Sequence, residues 1–160
     1  MRITVFAVGR LKSGPEKDLA GRYFDRLSKS AAPLGLEFVR VIEVAESRAG
    51  NAETRKREEA VMLRKALPDG AVLVLLDERG KAMDSEAFAR TIETYRDQGK
   101  RDLMIAIGGA DGLDLSLHDE ADASLCFGKM TWPHQIVRIL LGEQLYRATT
   151  ILSGHPYHRA

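Results

Sequence analysis

The chain has 160 residues, of which 44% are hydrophobic and 29% are charged, and its formal net charge is +1. This length and composition are typical of an ordinary soluble protein with a sizeable core, so we expect a single domain over residues 1–160. The near-zero charge argues against wholesale electrostatic binding of nucleic acid, although a local basic patch would not change the total.

The cysteine and histidine content excludes several kinds of site. Cys126 is the only cysteine, so no internal disulfide and no cysteine-based metal site can form, and we expect a small apolar residue rather than a reactive thiol. The four histidines lack the spacing of metal ligands, so we expect no metal.

No apolar run approaches the ~20 residues of a membrane-spanning helix, and no signal peptide is evident. We therefore expect a cytoplasmic protein without membrane contact.

The predicted elements alternate between strands and helices. Residues 3–8 form a short apolar run that ends at Gly9, which is typical of a strand, and residues 15–29 have helical spacing. Residues 36–44 are rich in strand-forming side chains and predict a second strand. Residues 53–67 predict a helix with a charge run that is more typical of a solvated face than of a binding patch: Arg55, Lys56, Arg57, Glu58 and Glu59.

The second half of the chain repeats this alternation. Residues 71–76 are continuously apolar, as expected of a strand covered on both faces, and residues 77–81 predict a loop. Asp84 or Ser85 can cap a helix that continues to about Asp97. The remaining predictions are a strand at 103–107, a loop at 108–112, a short helix at 115–120, a strand at 123–127, a loop at 128–132 and a final helix with Pro133 in its first turn.

This pattern predicts an α/β fold, with a mostly parallel sheet and helices on both faces. In such sheets, ligands bind beyond the carboxyl ends of the strands. The loops at 77–81, 108–112 and 128–132 each follow a different predicted strand. We therefore expect these three loops to share a pocket.

Two of these loops have alternative interpretations. Gly108 and Gly109 would let the backbone approach a ligand closely, but the loop matches neither a dinucleotide nor a Walker motif and could be a tight turn. Asp111 would repel a pyrophosphate, so the loop suits an uncharged or cationic ligand better. Thr131 either caps the final helix in a plain connection or belongs to a wall of amides around a flat ring. Trp132 could stack on a base or cover the core.

The last thirty residues are unusually rich in hydrogen-bond donors. His134, Arg138 and Arg147 lie among the apolar positions of the final helix, and residues 155–159 then read His-Pro-Tyr-His-Arg. Termini usually fray, so a terminus of this composition indicates part of a site. The charges could be paired in a subunit interface or could form a polar site, and their positive excess makes phosphate contact reasonable.

Taken together, six segments resemble the RlmH family, the small SPOUT-superfamily methyltransferases that act on 23S rRNA. The segments are 3–9, 76–81 with 85–89, 107–113, 131–135, 138–148 and 156–159, and they span the whole chain in the family's order. The C-terminal motif is highly specific, whereas the glycine motif alone would not be.

The resemblance implies a fold, a cofactor and a substrate. The C-terminal part of the sheet would be tied in a deep trefoil knot, a feature too rare to predict from periodicity. S-adenosylmethionine (SAM) would bind at the knot, and the enzyme would be a homodimer that methylates N3 of a pseudouridine in a 23S rRNA stem-loop on assembled ribosomes. The implied cofactor contacts are Leu76, Gly108, Phe127, Gly128, Lys129, Met130, Thr131 and Trp132. Position 132 is more usually aliphatic in the family.

The implied reaction suggests roles for the C-terminal residues. The N3–H of the base is weakly acidic and must lose its proton at or before methyl transfer, so cationic donors at the flanking carbonyls would help. We expect Arg138 and Arg159 to supply them, and His158 to accept or relay the proton. Tyr157 would stack on a neighbouring base or pack the tail, and we predict further substrate contacts from two other residues: Arg147 and His134.

Two rival functions come from other classes of protein. One is a catalytically silent RNA- or ribosome-binding module that kept the fold. The other is a flavodoxin-like nucleotide-binding protein, for which residues 9–14 would be a poor phosphate-binding loop.

Overall fold

The computed structural model describes residues 1–159, which form a single five-stranded sheet flanked by helices. The strands are β1 (Arg2–Val8), β2 (Glu37–Val44), β3 (Val72–Ala82), β4 (Asp102–Ile107) and β5 (Ala123–Cys126). The helices are α1 (Pro15–Ala31), α2 (Ala52–Ala66), α3 (Ser85–Asp97), α4 (Ser116–Glu120) and α5 (His134–Leu152), with a 3-10 turn at Ala32–Leu34. The strand order is β2-β1-β4-β3-β5, and every neighbouring pair is parallel.

The core has two layers because side chains alternate across each strand. In β1, Ile3 and Val5 face the layer that contains α1, α3 and α5, whereas Phe6 and Val8 face the layer that contains α2 and α4. The central strands are covered on both faces, and residues 72–76 of β3 are all buried, as their continuous apolar run predicts. The predicted α/β fold with a parallel sheet and helices on both faces is confirmed.

Helix starts depend on side-chain caps. The side chain of Asn51 accepts the N–H of Thr54 at 2.8 Å and fixes the start of α2 one residue before the prediction. Asp84, the first of the two predicted candidates, caps α3 by accepting the N–H of Ala87 at 2.7 Å. Thr131 does not cap α5, because Pro133 occupies the N-cap position and the helix begins at the next residue.

One residue of the predicted solvated face of α2 is in fact buried. Glu59 is only 6% exposed, and its carboxylate accepts the backbone N–H of Ser47 at 3.0 Å. Burial raises the pKa of Glu59, and the nearby carboxylate of Glu46 adds to this effect. The charge run of α2 therefore contains a residue that joins the helix to the segment after β2.

The loop predicted at 77–81 is instead part of β3. After an irregularity beyond Leu76, the strand resumes its pairing with β5, where Lys81 lies opposite Leu125. A Cβ atom at Gly80 would lie 2.6 Å from the backbone nitrogen of Leu125, closer than real side chains approach a backbone. The prediction was wrong because a glycine beside charged residues resembles a turn, whereas here it lets two backbones touch.

Gly80→Ala should therefore destabilise the protein by ~3 kcal/mol or more, since the clash is with backbone and cannot be relieved by a side-chain rotation. Denaturant unfolding followed by circular dichroism measures the loss. Gly21→Ala is the matched control, because Gly21 lies inside α1 with no heavy atom within 4 Å of the new methyl group. The control should gain ~0.5–1 kcal/mol of stability. Equal stability of the two variants would contradict the close contact.

Candidate active site

A cleft of about 620 Å³ lies at the carboxyl ends of β4 and β5, beside the irregularity that follows Leu76 in β3. This is where open α/β sheets bind ligands, and the volume suits a molecule of cofactor size. Its lining comes from the irregular middle of β3 (residues 76–79), from the end of β4 and the loop after it (107–113), and from the end of β5 and the segment after it (125–128 and 130–134), and Lys56 of α2 contributes from the side. The structure therefore brings together the three segments that the sequence indicated.

Most of the residues implied as cofactor contacts line this cleft. They are Leu76, Gly108, Phe127, Gly128, Met130, Thr131 and Trp132, whereas Lys129 does not contribute to its walls. The side chain of Trp132 is 42% exposed and that of Met130 is 73% exposed. Large apolar side chains with this exposure leave a surface on which a ligand can pack.

The glycine loop after β4 is both a tight turn and a wall of the cleft. The N–H of Gly112 donates to the carbonyl of Gly109 at 3.0 Å, which closes the turn. A Cβ at Gly108 would lie 2.8 Å from the carbonyl carbon of Gly112, and one at Gly109 would lie 2.9 Å from Cγ1 of Val8. Side chains are thus excluded at both positions, and the bare backbone borders the cleft.

The charge of the glycine loop is largely compensated from α2. Arg55 donates from Nε to one carboxylate oxygen of Asp111 at 2.6 Å and from Nη2 to the other at 3.1 Å. This bidentate pair lowers the pKa of Asp111. Arg55 was expected to point into solvent, but its side chain fixes the loop that borders the cleft.

Arg138 does not line the cleft; its buried side chain links α5 to the ends of two strands. Its side chain is 1% exposed, and Nη1 donates to Oε1 of Glu43 at 2.5 Å. Nη2 donates to the carbonyls of Val8, at 2.9 Å, and Gly9. We expected Arg138 to contact a substrate carbonyl, but both of its Nη atoms donate to protein acceptors that join the ends of β1 and β2 to α5, while its Nε is buried without a hydrogen-bond partner.

His134 occupies the wall of the cleft as the first residue of α5. Its ring fills space that a side chain at position 9 would need, because Nε2 lies 3.1 Å from where a Cβ of Gly9 would be. Oε1 of Glu46 lies 3.1 Å from the same point. Burial lowers the pKa of His134, the charge of Arg138 lowers it further, and the carboxylate of Glu46 opposes both effects.

The C-terminal tail is docked on α5 of its own chain. The carboxylate of Glu143 accepts from Nε of Arg147 at 3.0 Å and from the hydroxyl of Tyr157 at 3.0 Å. The ring of Tyr157 packs edge-on against Tyr146 with centroids 4.9 Å apart, and the guanidinium of Arg147 lies 5.0 Å from its centroid. Burial, with Glu143, raises the pKa of Tyr157 to about 12. Of the two expectations for Tyr157, this structure has the packing one.

His158 is held by two charged neighbours. Its Nδ1 lies 3.2 Å from Nη1 of Arg147, and its Nε2 lies 3.7 Å from Oε1 of Glu86. Because a guanidinium can only donate, Nδ1 must accept, and the ring proton is then on Nε2. Arg159 is exposed. Since α5 rises by ~1.5 Å per residue, Arg147 lies ~20 Å along the helix from His134, so one chain does not bring its tail to its own cleft.

The described part of the chain offers neither a metal-binding cluster nor a membrane-spanning helix. Among residues 1–159, no group of three or more His, Cys, Asp and Glu side chains is arranged to hold a metal ion. No helix in the same range has the length and apolar character to cross a membrane.

Sequence reasoning missed the polar groups that support the cleft from β1 and β2. Glu43 lies near the end of a half-buried edge strand, where a carboxylate is unremarkable, and Glu46 lies in the irregular segment that follows. The available signal was indirect: a charged residue at an otherwise apolar position of α5, Arg138, needs a buried partner.

The chain is similar to known proteins in both sequence and structure. A family profile described as "Predicted SPOUT methyltransferase" matches residues 1–158. A protein of Rhizobium leguminosarum bv. trifolii is 77% identical over 159 residues, which cover 99% of each chain, and one of Sinorhizobium medicae is 75% identical over the whole of both chains. A protein of Agrobacterium fabrum is 75% identical over 99% of each chain, and all three are named "Ribosomal RNA large subunit methyltransferase H".

Solved structures share the fold at low sequence identity. A probable methylase family protein from Haemophilus influenzae superimposes with a TM-score of 0.61 at 12% identity, over 99% of this chain and 70% of that one. A probable methyltransferase from Bordetella pertussis gives a TM-score of 0.60 at 13% identity, over 92% of this chain and 95% of that one. These similarities concern the fold alone.

Arg138→Met should cost ~3 kcal/mol of unfolding free energy, because it removes the donor of two strand-end carbonyls and leaves the carboxylate of Glu43 with only the N–H of Leu11. Urea unfolding measures the change. Lys29→Met removes a lysine from an exposed pair with Asp25 and should stay within ~0.5 kcal/mol of the parent. A loss below ~1 kcal/mol for Arg138→Met would contradict the linking role of this buried side chain.

Proposed function

The chain belongs to the SPOUT methyltransferase family, and from this premise we propose that it uses SAM to methylate N3 of a pseudouridine in a stem-loop of 23S rRNA. The observation that carries the proposal is full-length identity of about three quarters to proteins named as rRNA large subunit methyltransferases. The substrate would be the assembled ribosome, so the enzyme would act in the cytoplasm.

The cleft has the chemistry that SAM needs. Trp132 and Leu76 offer apolar surface for an adenine ring, and the backbone at Gly108 offers polar groups for the rest of the nucleoside. Asp77 and Glu78 add negative charge near a cofactor that is cationic at sulfur, while Asp111 is already compensated. When bound, SAM supplies an electrophilic methyl group, so the reaction requires no metal. The segment 127–132 would hold the cofactor against these walls.

We also propose that the C-terminal part of the chain forms the trefoil knot of the family. The return of β3 to pair with β5 at Lys81, with backbone contact between Gly80 and Leu125, supports this proposal. The likeness of the fold to the two solved methyltransferase-like proteins supports it as well.

The tail would recognise the base with donors. Loss of the N3 proton leaves negative charge on the two flanking carbonyl oxygens, and Arg159 would donate to one of them. In the tautomer that Arg147 imposes, His158 carries its proton on Nε2. We therefore assign His158 a donor role beside Arg159, in place of the proton acceptor expected from the sequence. Arg138 would act by holding the strand ends beneath the cleft.

The protein would work as a homodimer in which the tail of one subunit completes the cleft of the other. The separation of ~20 Å between the tail contacts and the cleft within one chain supports this arrangement. The docking of Tyr157 on Glu143 supports it too, because this contact holds the tail on α5 of its own subunit, away from that subunit's cleft. His134 would then meet the substrate from the cofactor side.

Methyl transfer tests the reaction. We expect label from SAM to appear on N3 of a pseudouridine when the protein acts on 70S ribosomes that lack the modification, as identified by mass spectrometry. Because a nearly neutral chain binds RNA weakly, the rate on ribosomes should exceed that on naked 23S rRNA by ~10-fold or more. Gly108→Val, which would clash with Gly112, is the inactive control.

The failing outcomes of that assay are distinct. Absence of label although SAM binds in calorimetry would remove the substrate assignment. Absence of SAM binding would remove the cofactor and favour a silent RNA-binding module. Equal rates on ribosomes and naked rRNA would remove the requirement for assembled particles.

Subunit complementation tests the shared site. Gly108→Val and Arg159→Ala should each be inactive as homodimers, yet a re-equilibrated equal mixture should recover about a quarter of the parental activity, since half of the dimers then hold one intact site of two. If the tail serves its own cleft, the mixture stays inactive. Activity of Arg159→Ala alone, at the parental rate, would remove the tail from the reaction.

A further inference from the structure

Some titratable side chains of the cleft already form hydrogen bonds or ion pairs with other protein groups, whereas one does not. Asp111 is paired with Arg55. Asp77 accepts the N–H of Arg79 at 2.9 Å and lies 3.5 Å from Nε2 of His118. His134, by contrast, makes no hydrogen bond or ion pair with any other side chain within residues 1–159. Neither of its ring nitrogens is therefore committed to another side chain, although the residue lines the cleft.

The position of His134 is fixed by its surroundings rather than by a direct partner. It is held at the start of α5, whose next turn is tied to the sheet through the buried guanidinium of Arg138. The missing side chain of Gly9 leaves the space into which Nε2 projects, and the Glu46 carboxylate borders the same space. An imidazole placed in this way needs little reorganisation to bond a substrate atom.

We propose that His134 is the group that accepts the N3 proton of the substrate base, and that Glu46 stabilises the imidazolium that results. The proposal rests on the proposed function and names the catalytic base for that reaction. His158 does not compete for this role, because its Nδ1 is occupied by Arg147 and its Nε2 carries the proton.

The electrostatic surroundings suit a base that is neutral before the reaction. Burial and Arg138 lower the pKa of His134 below its ordinary range, so the ring is unprotonated at neutral pH and can accept a proton. Glu46 favours the protonated ring, which is the product of the step. The other charged groups facing the site are Glu43 behind Arg138 and, across the cleft, Lys56, Asp77, Glu78, Arg79 and Asp111.

The step is balanced in atoms and charge. The N3–H bond breaks and its proton bonds to a ring nitrogen of His134. The electron pair left on N3 forms the new bond to the methyl carbon as the carbon–sulfur bond of SAM breaks. Positive charge thus passes from sulfur to the imidazolium, which returns its proton to solvent after the products leave.

Variants of His134 test the proposal through the pH dependence of kcat/KM on ribosomes. In the parent, the rate should fall as the pH decreases through the pKa of His134, below ~6.5, because the ring becomes protonated. His134→Gln and His134→Asn should lose ~10²–10⁴-fold in kcat at pH 7 and should lack this acid limb. Their rates should instead rise steadily toward high pH, as hydroxide takes over the proton.

Controls separate chemistry from structure. Lys29→Met removes an exposed charge of α1 that does not line the cleft and should leave kcat and the acid limb unchanged. SAM binding by calorimetry and the melting temperature should stay near the parental values in His134→Gln. Glu46→Gln should shift the acid limb of the parent to lower pH, because the carboxylate that favours the protonated ring is gone.

A second readout does not depend on activity. An NMR titration of the parent, with the His134 ring assigned by its absence in His134→Gln, should give a pKa below the ordinary value of ~6.5. A ring that is protonated at pH 7 would overturn the proposal, as would full kcat with an unchanged acid limb in either variant. An inactive parent would instead overturn the proposed function, so the two failures are distinguishable.

Discussion

The buried guanidinium of Arg138 is the interaction on which the site depends. A charge placed this deep is tolerated only with good partners, and here the partners are a carboxylate of β2 and two carbonyls at the end of β1. These acceptors lie at the carboxyl ends of two adjacent strands, and the donor lies in the second turn of α5. One side chain therefore fixes the start of α5, and with it His134, relative to the sheet edge that carries the cleft.

A second constraint is the close approach of backbones around the cleft. Gly80 lies against β5, Gly108 lies against the end of its own loop, and Gly109 lies against β1. At each position the absence of a side chain lets two segments touch, so the irregular part of β3 and the segments after β4 and β5 converge on one volume. Arg55 of α2 forms a bidentate ion pair with Asp111 and so fixes the glycine loop from the side of the helix. The cleft is thus defined mainly by main chain, and its few charged side chains adjust the local potential.

Much of this could be predicted from sequence, because the relevant signals are local. Continuous apolar runs identified the central strands, and a capping aspartate identified the start of α3. The role of the polar C-terminus in a site stays a prediction. The exceptions are non-local. Nothing near Glu59 in the sequence reveals that it is buried beneath Ser47, and nothing near Gly80 reveals that β5 passes against it. Arg138 was recognised as unusual, but its role depends on partners 95 to 130 residues earlier, which periodicity cannot supply.

The contact between Gly80 and Leu125 also bears on how the chain folds. The two segments are far apart in sequence, and β5 can seat against β3 only after the extension of β3 has taken its final course. Non-local parallel pairing of this kind loses the entropy of closing a long loop before the stabilising contacts form, and this slows folding. The same dependence acts in reverse, because β5 must be released before the extension can rearrange. We therefore expect the edge of the sheet that carries the cleft to be maintained partly by a slow rate of unfolding, in addition to its equilibrium stability.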